Sequence, residues 1–261
     1  YLSLIGIETE KFNSQIRDKI IKINNKLDLD LSKVKLTLDP LNFKLNAKTV
    51  GATIFHLKKP LELEYIKTQI SLVSLIKNKI ISSNLEIATK SILLRNLIQF
   101  IRSTNNKPEL FLLEKIIKKG QVIFDLKLNF DENGNIKDDY KLKGLINNGE
   151  ITSVKYNNLE DLSFSFIVKK DNYEIKDIKF QTNQINFFSD RVDLKKEKDK
   201  FLVKGVIQNN ESLISLNILK SFLSGLKDID FKNTYFSSTN NFSLNIDRKF
   251  KFSNFVLNSK L

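Results

Sequence analysis

The chain has 261 residues, a formal net charge of +13 at pH 7, and neither cysteine nor methionine. This length can bury a sizeable core, either as one large β domain or as two smaller ones. The absence of cysteine excludes disulfide bonds and thiolate metal sites. Lysine supplies most of the positive charge, and Lys127, Lys141 and Lys143 alternate singly with apolar residues, as on the solvent-facing side of a sheet. We therefore expect no nucleic-acid partner, despite the basic balance.

The N-terminal segment is apolar up to Glu8 and then becomes amphipathic. Residues 1–7 are far fewer than the roughly 20 that a membrane-spanning helix needs, so they are either a first strand or the exit of a transmembrane helix that lies upstream. Apolar residues with helical spacing follow: Phe12, Ile16, Ile20, Ile23 and Leu27. This spacing predicts an amphipathic helix over residues 8–27, which either packs on a sheet, lies at a membrane surface or plugs the end of a β structure.

Residues 65–94 predict two strands joined by a short apolar turn, and the rest of the chain is organised around them. The residues of one face alternate with polar neighbours: Ile66, Thr68, Ile70 and Leu72 in the first strand, and Ile81, Leu85, Ile87 and Thr89 in the second. The turn at residues 74–78 is too short for a helix of its own. Alternation over this length is typical of a sheet with one apolar and one solvated face.

Two short helices are predicted after this strand pair. The first covers residues 93–102 and the second residues 109–119, which stops at Gly120 as at a helix C-terminus. Residues 103–108 between them have the composition of a linker.

Long alternating strands dominate the second half of the chain. From Val122 to Phe130 the even positions are apolar, and residues 131–135 then provide a hairpin turn. Because the turns are short, we expect a mostly antiparallel sheet with its strands in sequence order. One further helix is predicted over residues 212–226.

Residues that could carry catalysis or bind a metal are few. His56 is the only histidine, and it lies in a strand-like segment where we expect a structural role. A metal site would need carboxylates alone, and no acidic pair has ligand spacing. Residues 131–135 lack the spacing and the terminal glutamate of a calcium loop. We find no catalytic triad pattern, no glycine-rich dinucleotide motif and no P-loop, so we expect neither an enzyme nor a bound metal or cofactor.

The predicted strands outnumber the helices that could cover their apolar faces. Either the sheet closes on itself as a sandwich or barrel, or it stays open and something apolar from outside fills it. Twenty phenylalanines and no tryptophan fit an apolar lining, and they fit an ordinary core equally well. The residues alone leave both solutions open.

Four features together carry a resemblance to a known family. They are the amphipathic helix after the apolar first residues, the strand KLTLDPL at residues 35–41, the strand and turn IKTQISLVSLIKNKI at residues 66–80, and residues 120–154 with the turn DENGNI. In this pattern the chain resembles the AsmA-like proteins of the Gram-negative envelope, including their larger bridge-like relatives. Asn78 departs from the pattern, since the family's turn usually has glycine there.

The resemblance implies a mainly β fold with a few short helices. It implies an elongated, twisted antiparallel sheet that forms an apolar groove, an open half-barrel, with the amphipathic helix at its N-terminal end. The chain would then have three regions: residues 1–27 as a membrane-exit stub and amphipathic helix, residues 28–107 as an AsmA-like β region, and residues 108–261 as a repeated β-groove region that continues further.

The resemblance also implies a function in lipid transport. Phospholipid acyl chains would move through a periplasmic groove between the inner and outer membranes, and a missing N-terminal helix would anchor the protein to the inner membrane. Outer-membrane or other envelope proteins are further expected partners. No catalytic residue is carried over, because such a groove needs none.

On this basis we expect a set of apolar side chains to line the groove: Ile66, Ile70, Leu72, Leu85, Ile87, Val122, Phe124, Leu126, Leu128, Leu142, Phe164, Phe166 and Val168. The alternative is a structural or assembly factor for outer-membrane biogenesis, with a closed β core and no lipid.

Overall fold

A computed structural model describes residues 5–11, 13–23, 25–73, 82–105, 107–131, 133, 135–152, 158–214, 234–247 and 251–260. Most of them are in antiparallel strands. The helices are α1 (Asn13–Ile23), α2 (Leu94–Thr104) and α3 (Pro108–Ile116). The strands before α2 are β1 (Ile7–Thr9), β2 (Leu27–Asp30), β3 (Val34–Asp39), β4 (Lys44–Val50), β5 (Thr53–His56), β6 (Lys59–Ser71), β7 (Ser82–Thr89) and β8 (Ile92–Leu93). Those after α3 are β9 (Ile117–Asn129), β10 (Lys141–Ile151), β11 (Leu159–Lys169), β12 (Asn172–Thr182), β13 (Ile185–Glu197), β14 (Lys200–Ile214), β15 (Thr234–Asp247) and β16 (Phe252–Lys260).

The chain divides into two compact units. The first contains residues 1–114, 121–144 and 168–170, and the second contains residues 115–120, 145–167 and 171–261. In the first unit the strand order is β1-β3-β4-β6-β7-β9-β10, with β2 paired to β5, β5 to β6 and β8 to β9. In the second unit the order follows the chain from β10 to β16. Among the described residues neither series of strands returns to its first member, so the sheet is open.

The prediction of a mainly β chain with a few short helices and an open antiparallel sheet is therefore confirmed. Sequence order holds from β9 to β16. Two-residue connections join β11 to β12, β12 to β13 and β13 to β14, and such short connections place consecutive strands side by side. No helix among the described residues is long and apolar enough to cross a bilayer.

The N-terminal helix is shorter than predicted. Glu8 belongs to β1, where it lies opposite Lys35 of β3, and Leu27 belongs to β2, where it lies opposite His56 of β5. The apolar residues with helical spacing do form a helix over α1. At both ends of the predicted helix, the backbone groups make their hydrogen bonds by strand pairing instead. Phe12 lies outside the described residues.

The predicted helix ending at Gly120 is also wrong at its end. Helix α3 stops at Ile116, and Gly120 lies inside strand β9 with φ +133°. The backbone N–H of Thr152 donates to the Ile116 carbonyl (2.9 Å), and Val122 lies opposite Ile92 of β8. Strand β9 therefore begins at Ile117, three residues before the glycine. The linker is correspondingly short, since α2 runs to Thr104.

The predicted helix over residues 212–226 falls mostly outside the described residues. Its first three residues are in β14, where Ser212 lies opposite Phe236 and Leu213 opposite Tyr235. The helix prediction is therefore wrong at its start.

The turn at residues 131–135 is confirmed by the side chain of Asp131, whose Oδ1 accepts hydrogen bonds from the N–H groups of Asn133 (2.9 Å) and Asn135 (2.8 Å).

Candidate functional site: the aliphatic face of the first unit

The strands of the first unit present one aliphatic face and one polar face, because their register keeps residues of like character opposite one another. Three rows of directly opposite residues cross the aliphatic face. The first contains Val34, Thr49, Ile66, Ile87 and Leu126; the second contains Leu36, Ala47, Thr68, Leu85 and Leu128; the third, across three strands, contains Leu38, Leu45 and Ile70. We call this surface the aliphatic face.

Most of the aliphatic face is only half-buried. Ile66, Leu85 and Leu126 near its centre all retain solvent exposure, although side chains of this type are usually buried completely in a closed core. Val34 and Thr49, at one end of its first row, are buried. The largest fully buried side chains described in this unit are Leu63 of β6 and Val122 of β9, 0% and 1% exposed. Helix α2 contacts β6 and β8, and Ile92 of β8 lies opposite Val122, so these two residues mark a closed corner. The sheet therefore has a closed corner and an open face.

The opposite face of the same strands is polar and charged. One row crosses the six strands from β1 to β9 and contains Glu8, Lys35, Lys48, Lys67, Glu86 and Lys127. Lys127 Nζ lies 3.1 Å from Glu86 Oε1, and Lys143 Nζ lies 3.1 Å from Asp125 Oδ2. The Tyr65 ring lies below Lys67 Nζ at 4.3 Å from the centroid, and burial raises the pKa of this tyrosine. This face explains the lysine pattern of the sequence as a solvated surface.

A cavity of about 330 Å³ lies on the aliphatic face where helix α1 covers it. Its lining is almost entirely aliphatic: Ile16, Ile20, Leu27, Leu29, Leu31, Val34, Ala47, Lys48, Thr49, Ile54, Ile66, Thr68, Leu85 and Ile87. Helix α1 is held there by its polar side. Asn13 Nδ2 donates to the Ser32 carbonyl (2.8 Å), and Arg17 donates from Nε and Nη2 to the two carboxylate oxygens of Asp28 (2.6 Å each). This ion pair lowers the pKa of Asp28.

Most of the predicted lining residues of the first unit lie either in the cavity wall or elsewhere on the aliphatic face. Ile66, Leu85 and Ile87 line the cavity. Ile70, Phe124, Leu126, Leu128 and Leu142 are half-buried in strands of the aliphatic face. The assignment of Leu142 follows from its neighbour Lys143, which reaches Asp125 on the polar face.

The remaining predicted residues have other surroundings. Val122 is fully buried in the closed corner. Leu72 follows the end of β6 and donates its N–H to the Phe43 carbonyl (2.9 Å). Val168 is half-buried near the end of β11. Phe164 and Phe166 belong to β11 of the second unit, and their rings meet edge to face at a centroid separation of 6.3 Å.

The second unit carries an aliphatic face of its own on strands β12 to β15. Ile175 lies opposite Val192, and Leu194 lies opposite Val203, which in turn lies opposite Leu244. Gly205 interrupts this face, because the Phe242 ring occupies the space that a side chain at position 205 would fill. A Cβ at Gly205 would lie 2.7 Å from Val192 Cγ2 and 3.0 Å from Phe242 Cε1.

Several cavity residues were not among the predicted lining set, notably Ile16, Ile20, Leu29 and Ile54. The helical spacing of α1 and the alternation of β2 do show that these residues share apolar surfaces. Only the pairing of β2 with β5, which nothing in the local sequence indicates, brings those surfaces to the same cavity.

His56 is buried and has a structural environment. Its Nδ1 lies 2.7 Å from Ser103 Oγ, and the Ser103 hydroxyl donates to the Phe100 carbonyl (2.7 Å). Because that hydroxyl has a single proton, His56 Nδ1 must carry the proton of the bond between them. The imidazole ring therefore ties β5 to α2.

Comparison with known proteins returns no relative: no protein-family model, no curated protein and no solved structure matches this chain.

Proposed function

We propose that this chain forms a lipid-binding groove, part of an AsmA-like protein of the Gram-negative envelope. The protein would be anchored to the inner membrane, and its groove would conduct phospholipid through the periplasm to the outer membrane. The observation that carries the proposal is the aliphatic face of the first unit, which is continuous over five strands yet for the most part only half-buried.

The hydrophobic effect favours a lipid ligand for such a face. Two acyl chains with roughly 30 methylenes, at ~0.8 kcal/mol each, cost on the order of 25 kcal/mol to expose to water. A half-buried aliphatic surface removes much of this cost without any specific contact. Binding also stabilises the protein, because contact with an acyl chain removes the aliphatic side chains of this surface from water.

The dimensions of the face suit an acyl chain lying across the strands. The second row, from Leu36 on β3 to Leu128 on β9, crosses four inter-strand spacings of about 4.8 Å each, or roughly 19 Å. A single acyl chain spans about half of the ~30 Å hydrocarbon core of a bilayer, or roughly 15 Å. One row is therefore long enough for one chain, and the neighbouring row offers room beside it.

Site-specific photo-crosslinking tests the proposal. A photo-reactive residue replaces Phe124 on the aliphatic face, and in a second protein it replaces the adjacent Ile123, which is 43% exposed on the other side of β9. After expression in a Gram-negative host and irradiation, mass spectrometry identifies adducts. We expect phospholipid adducts from position 124 and none from position 123.

The control position makes the result decisive, because the two residues are neighbours on one strand and differ in the face they occupy. Equal adducts at both positions would indicate unspecific lipid contact and would contradict a groove. A protein without adducts at position 124 and without co-purifying phospholipid would favour a structural or assembly factor instead.

A further inference from the structure

The outward side of helix α3 is apolar, whereas a surface helix usually turns polar residues to water. None of the nine residues that the structure describes in α3 is buried. Its exposed residues have the i, i+3, i+4, i+7 spacing of a single helix face: Pro108, Phe111, Leu112 and Lys115. Phe111 is 57% exposed and Leu112 is 41% exposed. We call these four residues the outer stripe.

Contacts with α2 fix the direction in which the outer stripe points. The Glu114 side chain of α3 accepts hydrogen bonds from two side chains of α2: Gln99 Nε2 donates to Oε1 (2.9 Å), and Arg102 Nη1 donates to Oε2. The Arg102 guanidinium also lies 5.3 Å from the Phe111 ring centroid, yet the ring keeps more than half of its surface exposed. The outer stripe is therefore held towards solvent.

The exposed charges at the two ends of α3 are positive. Lys107, immediately before the helix, and Lys115, in its last turn, are exposed. Glu109 and Glu114 are half-buried, and Glu114 is neutralised by Arg102. An anionic surface in contact with the outer stripe would thus meet a lysine at each end of the helix.

The small area of the outer stripe favours a lipid bilayer over a folded protein as its partner. A fully exposed phenylalanine offers about 200 Å², so Phe111 and Leu112 together present less than about 300 Å². A specific protein–protein interface needs about 800 Å² from each partner. A bilayer requires no complementary shape, because apolar side chains enter the boundary between headgroups and acyl chains while lysines contact anionic headgroups.

We propose that the outer stripe of α3 docks on the surface of a bilayer that contains anionic phospholipid. Phe111 and Leu112 insert between the headgroups, and Lys107 and Lys115 contact lipid phosphates at the two ends of the helix. This inference goes beyond the proposed function, because docking of α3 does not require a lipid to enter the aliphatic face.

Single-tryptophan variants test the docking, because the chain contains no tryptophan. Phe111→Trp places one fluorophore on the outer stripe. The matched control is Phe43→Trp, since Phe43 is 66% exposed and lies between β3 and β4 of the same unit. Each full-length variant is titrated with vesicles made of equal parts phosphatidylcholine and phosphatidylglycerol, and its emission spectrum is recorded.

We expect these vesicles to shift the Phe111→Trp emission to shorter wavelength and to leave the Phe43→Trp emission unchanged. In co-sedimentation, Phe111→Ser should weaken vesicle binding by about tenfold or more, because the ring no longer leaves water. Lys107→Gln and Lys115→Gln should each weaken it by about fivefold, the factor that one lysine contributes near an anionic surface. Phe43→Ser should bind like the parent protein, and binding should fall at high salt.

Equal emission shifts at positions 43 and 111, or undiminished binding of Phe111→Ser, would overturn docking by α3. An emission shift of Phe111→Trp that depends on protein concentration and not on vesicles would also overturn it, because the outer stripe would then contact a second copy of the chain.

The outcomes separate this inference from the proposed function. If the parent protein does not bind the vesicles while position 124 still gives phospholipid adducts, the docking inference is wrong and the lipid groove stands. If α3 docks as expected while position 124 gives no adduct, the proposed function fails and the docking stands.

Discussion

A pair of carboxylate substitutions on strand β9 distinguishes an open aliphatic face from a closed core. Val122 and Leu126 have the same parity on one strand and are four residues apart, so both side chains point to the same side of the sheet. Val122 is 1% exposed in the closed corner, whereas Leu126 is half-buried opposite Ile87. We therefore expect Val122→Asp and Leu126→Asp to differ sharply in their effect on stability.

The expected magnitudes follow from what surrounds each position. At Val122 the carboxylate would be an uncompensated buried charge, which costs about 3–5 kcal/mol of unfolding free energy. At Leu126 the carboxylate reaches water across the open face, so the loss is limited to apolar burial, about 1–2 kcal/mol. In a chain of this size each kcal/mol lowers the melting temperature by roughly 2–4 °C.

Urea and thermal unfolding of the two variants measure the difference, with circular dichroism as the signal for strand content. The Leu126→Asp protein should remain folded and should lose phospholipid adducts at position 124, because a charge now lies on the path of the acyl chain. Equal destabilisation by both substitutions would refute the open face, since Leu126 would then be as enclosed as Val122. If folded Leu126→Asp still gave lipid adducts at position 124, the prediction that the acyl chain lies along Leu126 would be refuted.

Four further outcomes are expected. Gly205→Ala should lower the free energy of unfolding in urea by about 1–3 kcal/mol, because the new Cβ meets Val192 and Phe242. Adding Phe242→Leu should recover part of this loss. If the effects of the two substitutions on stability simply add, the contact is contradicted. Ser103→Ala should cost about 1–3 kcal/mol because it leaves His56 Nδ1 buried without an acceptor, and an unchanged melting temperature would exclude this bond as a stabilising one. Arg17 lowers the folded-state pKa of Asp28. The stabilisation from this ion pair is therefore complete above the unfolded-state pKa of about 3.9, and it is lost as the pH falls through the lower folded-state pKa. Asp28→Asn should remove that part of the acid unfolding profile, and a profile identical to the parent's would contradict it. Finally, the polar-face lysines should give no measurable affinity for duplex DNA in a mobility-shift assay at physiological salt, whereas steeply salt-dependent binding would revive a nucleic-acid function.

Local sequence determines which residues form strands and which of them share a face. The alternation from Ile66 to Ile70 and from Val122 to Leu128 depends only on the two-residue period of a strand, so it can be read without knowing any partner. The apolar side of α1 follows in the same way from its helical spacing. These periodicities are sufficient to predict a mainly β chain with few helices.

The ends of elements depend on pairing partners that are distant in the sequence. Leu27 continues the helical spacing of α1, yet it joins β2 because His56 offers it a strand partner. Gly120 is a suitable helix stop in its local sequence, yet β8 and Thr152 pair with its surroundings. Non-local hydrogen bonds decide such positions because each backbone group must be paired once it is buried.

Tertiary structure alone decided where the aliphatic face is open. Val122 and Leu126 are indistinguishable by sequence pattern, yet one lies in the corner beside α2 and the other lies on the exposed part of the face. The position of Thr49 in the cavity was equally unpredictable, because it depends on α1, β2 and β5 meeting over β4. Alternation specifies the side of a sheet that a residue occupies, whereas its burial depends on which other elements pack against that side.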